Sequence, residues 1–101
     1  MIYEKTVVYD DGAMRLALEF FRGRAYLHFK VQKFSASVLR KTRWLWAETQ
    51  KILLAIGYDK VIAYTPEGTP AKWFKFVGRF GFKPVRRLKG MIIVEAPLWK
   101  R

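Results

Sequence analysis

The sequence has 101 residues, 51% apolar and 17% aromatic, which is enough for one hydrophobic core and excludes an intrinsically disordered chain. The absence of cysteine excludes disulfides and cysteine nucleophiles, a single histidine disfavours a metal site, and no apolar run approaches the roughly 20 residues of a membrane span. The net charge of +12 attracts polyanions such as nucleic acid, an anionic cofactor or an acidic protein surface, although the same charge would also keep the chain soluble.

The first third of the chain predicts three antiparallel strands. Ile2–Tyr9 is rich in valine and tyrosine and ends at the turn signal of residues 10–12. Met14–Phe21 and Ala25–Val31 alternate apolar and polar side chains, and Gly23 can adopt the positive φ of the tight turn between them. Short connections between neighbouring strands favour an antiparallel meander.

A long helix follows the meander. Either Ser35 or Ser37 can cap it by accepting from a backbone N–H group at the helix start. Its apolar stripe runs from Val38 to Ile56, and Gly57 ends it in a left-handed conformation.

A second strand-and-helix pair comes next. Lys60–Thr65 is short and mostly apolar, which is typical of a strand that is buried on both faces. Residues 66–70 form a loop in which Thr69 caps a second helix and Pro70 is its first residue. The helix covers Ala71–Phe80 and ends before a glycine.

Phe82–Leu88 and Met91–Ala96 predict a final hairpin. The full order is β-β-β-α-β-α-β-β, and we expect one α/β (α+β) domain over residues 1–101 with a mixed, mostly antiparallel central sheet. A generic α+β sandwich with another strand order is the alternative, because a single sequence does not determine which strands pair.

This order resembles the GNAT superfamily (Gcn5-related N-acetyltransferases), as do two motifs. One is the long helix that ends at Gly57-Tyr58 before the strand KVIAYT, and the other is the segment AKWFKFVGRFGFKPV with its Gly-Phe. The resemblance covers about Arg15 to Val94 and extends to short phage-encoded proteins of the internal virion protein A type. It implies a truncated GNAT-like fold, acetyl-CoA as cofactor, an amine as acceptor, and a location in the host cytoplasm or the virion.

The resemblance also implies where acyl-CoA would bind. In the superfamily, backbone N–H groups at the start of the long helix hold the pyrophosphate, because the unpaired amides and the helix dipole converge on an anion. The family loop contains glycines, whereas this chain reads KFSASVLRKTR, so small residues would allow a looser approach and cations would supply charge. The alternative is that the serines only cap the helix and the cations are solvated. The expected cofactor-binding residues are Val31, Lys33, Ser35, Ala36, Ser37, Val38, Arg40 and Lys41.

Acetyl transfer to an amine requires a base and a polarised thioester. His28, Glu19 and Glu95 are the candidate bases, and His28 is preferred because an ordinary imidazole pKa suits the reaction and the residue lies near the expected cleft. Many family members have a proton-donating tyrosine where this chain has Val77, so Tyr64 is the candidate for the thioester sulfur. Each could instead be an ordinary strand residue.

A function of another class is also open. The chain could be a non-catalytic, phage-type structural or binding protein that uses its basic surface on nucleic acid or a protein partner. Trp44 interrupts the basic run 40–43 and Trp99 precedes two cations, while Trp46 and Trp73 are predicted to lie in the core. The region that covers the acceptor site in the superfamily is short here, so a second subunit or a partner would have to complete the acceptor pocket.

Overall fold

A computed structural model describes residues 4–32 and 35–98 of the chain, so Lys33, Phe34 and Trp99 lie outside the described residues. The elements follow the predicted order β-β-β-α-β-α-β-β. They are β1 (Glu4–Asp10), β2 (Met14–Phe21), β3 (Arg24–Val31), α1 (Ala36–Ala55), β4 (Lys60–Pro66), α2 (Ala71–Gly78), β5 (Lys83–Leu88) and β6 (Met91–Pro97). Neither of these helices has the length and hydrophobicity that crossing a membrane requires.

The six strands form one sheet in the order β1-β2-β3-β4-β6-β5. Every neighbouring pair is antiparallel except β3 and β4, which run parallel because α1 connects them. The prediction of one mixed, mostly antiparallel sheet is therefore confirmed, and the alternative sandwich is wrong.

Both helices pack on the same face of this sheet. Trp46 and Leu53 of α1 join Leu16, Leu27 and their neighbours from the strands in the main core. Phe74 and Val77 of α2 are partly buried and pack against the same cluster. The predicted core position of Trp46 is confirmed, since it is only 8% exposed.

The opposite face of the sheet carries a small cluster of its own. Tyr26, Ile62 and Ile93 are buried there, with Phe21 packed against them, and all four lie on strands. Tyr64 is exposed beside this cluster. We call this surface the open face, because within the described residues no helix contributes to its cluster.

The helix α1 begins and ends as its sequence predicts. Of the two candidate caps, Ser35 is the one used, because its Oγ accepts from the Val38 N–H at 3.2 Å. Gly57 follows the last turn with φ of +102°, a left-handed conformation that glycine adopts without steric cost.

Four local predictions are wrong. The helix α2 ends at Gly78 instead of Phe80, and its cap is Pro70, because the Thr69 hydroxyl donates to the carbonyl of Pro66 at 2.6 Å. The strand β4 is not buried on both faces, since Tyr64 is 47% exposed on the open face. Trp73 is half-buried at the edge of a cleft instead of lying in the core.

Candidate functional site

The strands β3 and β4 pair at a single position and then separate. Tyr26 lies opposite Ile62, and neither strand continues the ladder toward its C-terminal end. An interrupted parallel ladder leaves backbone N–H and C=O groups without a strand partner on the facing edges. The interruption therefore opens the sheet at its centre, where α1 crosses over.

A cleft of about 380 Å³ occupies this opening between β3, β4, α1 and α2. Its walls are mostly apolar, with threonines from α1, β4 and the loop between β4 and α2 among them. The threonines are Thr42, Thr65 and Thr69. A concave, mostly apolar cleft with a few polar groups is the usual form of a small-molecule or cofactor site, and this volume lies within the usual range.

Aromatic side chains build the wall of the cleft on the α2 side. Phe29 of β3 stacks on Trp73 at 5.9 Å and on Phe76 at 6.0 Å between ring centroids. Phe76 in turn meets the edge of Phe80 at 5.4 Å. These contacts hold α2 against β3, so the width of the cleft depends on packing that extends along the whole helix.

Both predicted catalytic residues, His28 and Tyr64, line the cleft. The Tyr64 ring stacks on Tyr26 with centroids 5.7 Å apart and planes 11° apart. Partial burial raises the pKa of the Tyr64 phenol, Tyr26 adds to the increase, and the guanidinium groups of Arg24 and Arg86 oppose it. The phenol is therefore protonated at neutral pH and can donate a hydrogen bond.

His28 is paired with one of the rival candidate bases. Its Nε2 lies 3.0 Å from a carboxylate oxygen of Glu19, whose side chain is 16% exposed. Glu19 lies on the open face, which is the face that its alternation predicts, but its carboxylate is paired with His28 and largely covered. The pair follows from the register of the β2–β3 hairpin, in which Glu19 lies opposite Tyr26 and Ala17 opposite His28. A carboxylate in this place orients the imidazole.

Glu95, the third candidate base, is engaged elsewhere. It lies 3.4 Å from the ammonium of Lys60 at the start of β4. Its position in the register is opposite Ile62, at the paired end of β3 and β4. His28 and Tyr64 therefore both line the cleft and Glu19 contacts His28, whereas Glu95 does not line the cleft.

Among the described residues, no predicted cofactor-binding residue lines the cleft. Lys30, just before the predicted segment 31–41, and Thr42, just after it, do line the cleft. Val31 and Val38 pack with Met14 and Leu45 in a second core cluster. The remaining predicted residues lie exposed at the start of α1, and they are Ser35, Ala36, Ser37, Arg40 and Lys41.

Lys41 contacts a carboxylate of this chain. Its ammonium lies 2.9 Å from Asp11 in the β1–β2 turn, and Asp11 also accepts from the backbone N–H groups of Ala13 and Met14. Lys41, followed by the two turn bonds and the Tyr9 hydroxyl, holds the pKa of Asp11 well below its ordinary value. An anion bound at α1 would compete with Asp11 for this cation.

The sequence gives no clear signal for two parts of the site. The Tyr26–Tyr64 stack depends on the pairing of β3 with β4, which are separated in sequence by the whole of α1. The hydroxyl of Thr42 already donates to the carbonyl of Val38 at 2.7 Å, so an interior threonine of a helix becomes part of the cleft wall.

No family model and no curated protein matches this chain in sequence. Several solved structures match its fold. One is an N-acetyltransferase (PaiA) from Thermoplasma acidophilum in complex with coenzyme A. Its TM-score is 0.66, the sequence identity is 21%, and the match covers 84% of this chain and 53% of the other. Another is a protein assigned as a phosphinothricin N-acetyltransferase. Its TM-score is 0.60, the sequence identity is 17%, and the match covers 87% of this chain and 65% of the other.

The third is the ribosomal-protein-S18-alanine N-acetyltransferase from Escherichia coli, with a TM-score of 0.63 at 16% identity, covering 98% of this chain and 71% of the other. This chain thus spans about half the length of the first of these structures and under two thirds of the second. At such low identity the likeness establishes the fold. The chain has the fold of the GNAT N-acetyltransferases.

Proposed function

We propose that this chain is an acyl-CoA-dependent N-acetyltransferase that moves an acetyl group from acetyl-CoA to a primary amine. The observation that carries the proposal is the cleft between β3 and β4, which opens where the crossover helix α1 joins the two strands. Two further findings support it: the shared fold with three N-acetyltransferases, one of them a coenzyme A complex, and the presence of His28 and Tyr64 in the cleft.

The cleft fits the pantetheine arm of the cofactor. The arm is a narrow chain with two amide groups, and unpaired backbone groups along the edges of β3 and β4 can bond to amides as a strand would. The aromatic wall of Phe29, Trp73 and Phe76 gives its methylene groups an apolar surface. The pyrophosphate would lie at the start of α1, where the first-turn amides have no acceptor within the helix.

The binding site for the pyrophosphate departs from the family pattern. The Ser35 hydroxyl already accepts from Val38, and Lys41 is paired with Asp11. The amides of Ala36 and Ser37 and the charge of Arg40 are then the groups best placed to hold an anion. We expect this degenerate loop to bind the cofactor more weakly than a glycine-rich loop would, because side chains keep the phosphate farther from the backbone.

Each catalytic side chain has one step in this proposal. Bound acetyl-CoA supplies a thioester whose carbonyl carbon is open to attack by an amine. His28 accepts a proton from the attacking amine, and Glu19 stabilises the resulting imidazolium. Tyr64 donates a hydrogen bond to the sulfur as it becomes negative, since its pKa is raised and its phenol is protonated.

We propose that another copy of the chain or a partner completes the pocket for the amine acceptor beside His28 and Tyr64. It stays a prediction that the chain is a short phage-type protein and that it is located in the host cytoplasm or the virion.

Thermal denaturation with added ligand tests the proposal. Acetyl-CoA should raise the Tm more than ATP does, because ATP has phosphates without a pantetheine arm and therefore measures the general attraction of a +12 chain for anions. Ala63→Phe fills the cleft and should make the Tm shifts with acetyl-CoA and ATP equal. Val85→Phe, on exposed β5, should leave the shift with acetyl-CoA larger than that with ATP. Equal shifts with the two ligands would refute the proposal.

A further inference from the structure

The open face of the sheet combines exposed aromatic surface with cations that lack carboxylate partners. Every carboxylate described on this face already has a basic partner, in the pairs Asp10–Arg15, Glu19–His28 and Glu95–Lys60. Four exposed cations share the face and have no carboxylate within 4 Å among the described residues. They are Arg24, Lys30, Lys83 and Arg86.

Two of these cations flank an exposed aromatic side chain. Tyr64 is 47% exposed and rests on the buried ring of Tyr26, so one side of its ring is supported and the other faces solvent. Arg24 and Arg86 lie on either side of it, close enough for both guanidinium groups to act on the phenol. Arg22 lies over the Phe21 ring at 5.4 Å near the same end of the sheet.

We propose that the open face binds single-stranded nucleic acid, with a base stacked on Tyr64 and backbone phosphates on Arg24 and Arg86. An aromatic ring supported from beneath accepts any base, because every base has a flat π-face. Arg24 on β3 and Arg86 on β5 are three strand spacings apart across the sheet, about 14 Å, and four residues apart along it, about 13 Å, so the two cations contact different phosphates of one strand.

The geometry favours a single strand over the other polyanions. In a duplex the bases are already stacked on one another and cannot reach Tyr64. An acidic protein surface would satisfy the cations and leave the tyrosine ring without a matched partner. A second copy of this chain carries the same +12 charge and would place the uncompensated cations against each other.

Fluorescence anisotropy with a labelled oligothymidylate of about twelve nucleotides tests this at low and moderate salt. Tyr64→Ala should weaken binding roughly tenfold, within the range measured for loss of one stacked base. Arg24→Ala/Arg86→Ala should weaken it and reduce the salt slope by about 1.4, since each phosphate contact on a single strand contributes about 0.7. The control is Arg43→Ala/Lys72→Ala, which removes the same amount of charge from the helix side. It should bind the oligonucleotide more tightly than Arg24→Ala/Arg86→Ala does.

Several results would overturn the proposal. One is the absence of oligothymidylate binding at low salt, and another is equal binding by the open-face and helix-side double variants. Competition by an acidic polypeptide as strong as by the oligonucleotide would assign the face to a protein partner. Sedimentation that shows a dimer dissociated by Tyr64→Ala would assign it to a second copy. Circular dichroism checks that each variant is folded.

Tyr64→Phe separates this proposal from the acetyltransferase proposal. Phenylalanine keeps the stacking surface and removes the hydroxyl, so nucleic-acid affinity should stay within about twofold of the unmodified chain. Acetyl transfer should fall, because the hydrogen bond to the sulfur is lost. An equal loss of nucleic-acid affinity in Tyr64→Phe and Tyr64→Ala would contradict the stacking role.

Discussion

Tyr26 and Tyr64 stack with ring centroids 5.7 Å apart, although they lie on strands that share a single paired position. The stack therefore bridges β3 and β4 at the point where the sheet opens. It fixes one edge of the cleft from the open face, while the contact of Phe29 with Trp73 fixes the other side. Tyr64 lines the cleft and is also 47% exposed.

The first prediction concerns Val77, which lines the cleft where many family members have a proton-donating tyrosine. Val77→Tyr should raise the rate of acetyl transfer about tenfold above that of Val77→Phe, because the two variants fill the cleft alike and differ by one hydroxyl. The rate is followed as coenzyme A thiol released in the presence of a panel of primary amines. Equal rates would show that the sulfur does not lie beside Val77.

The second prediction concerns the charge pair of His28 and Glu19. Glu19→Gln keeps the hydrogen bond and removes the charge that stabilises the imidazolium, so acetyl transfer should fall about tenfold with little change in acetyl-CoA affinity. Glu48→Gln provides the control, since Glu48 is a carboxylate of α1 that pairs, among the described residues, with Lys51 in the adjacent turn. A profile of rate against pH that is the same for Glu19→Gln and the unmodified chain would contradict the proposed role.

The third prediction concerns the pH dependence of stability. The folded-state pKa of Asp11 is lowered, mainly by Lys41, so its contribution is present above the ordinary value of 3.8 and is lost as the pH falls below it. The pKa of Lys41 is raised, so the contribution of the ammonium is complete below its ordinary value of 10.5 and is lost above it.

Asp11→Asn should accordingly lower the Tm at neutral pH and flatten the fall in Tm between about pH 4 and pH 2. Asp59→Asn is the control, because Asp59 makes no side-chain hydrogen bond or ion pair within the described residues. Parallel acid transitions in the two variants would show that the Asp11–Lys41 contact does not stabilise the folded chain.

The fourth prediction concerns the β5–β6 turn, where Lys89 has φ of +48° and Gly90 of +78°. Two successive positive φ angles define a type I′ turn, for which asparagine followed by glycine is the preferred pair. Lys89→Asn should raise the free energy of unfolding by about 0.5 kcal/mol in urea titrations, because asparagine tolerates the left-handed region better than lysine does. Lys89→Gln removes the same charge without this preference and should leave stability unchanged or lower.

Much of the fold is predictable because its signals are local. The turn signals at Gly12, Gly23 and Gly90 lie where the structure has positive φ angles, and Gly57 ends α1 as expected. The register of the β2–β3 hairpin follows from its two-residue turn, which brings Glu19 to His28. Local rules fail at Thr69, whose hydroxyl donates to the carbonyl of Pro66 while Pro70 takes the cap position of α2.

The site is less predictable because it depends on contacts between distant segments. His28 and Tyr64 belong to strands that only the tertiary fold brings together, and the resemblance to a family supplied the expectation that they meet. Nothing in the periodicity of Trp73 and Phe76 distinguishes a cleft wall from a filled core, since both bury an apolar stripe. The distinction depends on how far β3 and β4 separate.

Backbone amide chemical shifts during a titration with acetyl-CoA test the central claim most directly. The largest changes should map to β3 beyond Tyr26, to the C-terminal half of β4 and to α2 near Trp73, with smaller changes at Ala36 and Ser37. Changes confined to the exposed cations, or equal changes with ATP, would show that the ligand binds by charge alone. That result would contradict the assignment of the cleft as an acyl-CoA site.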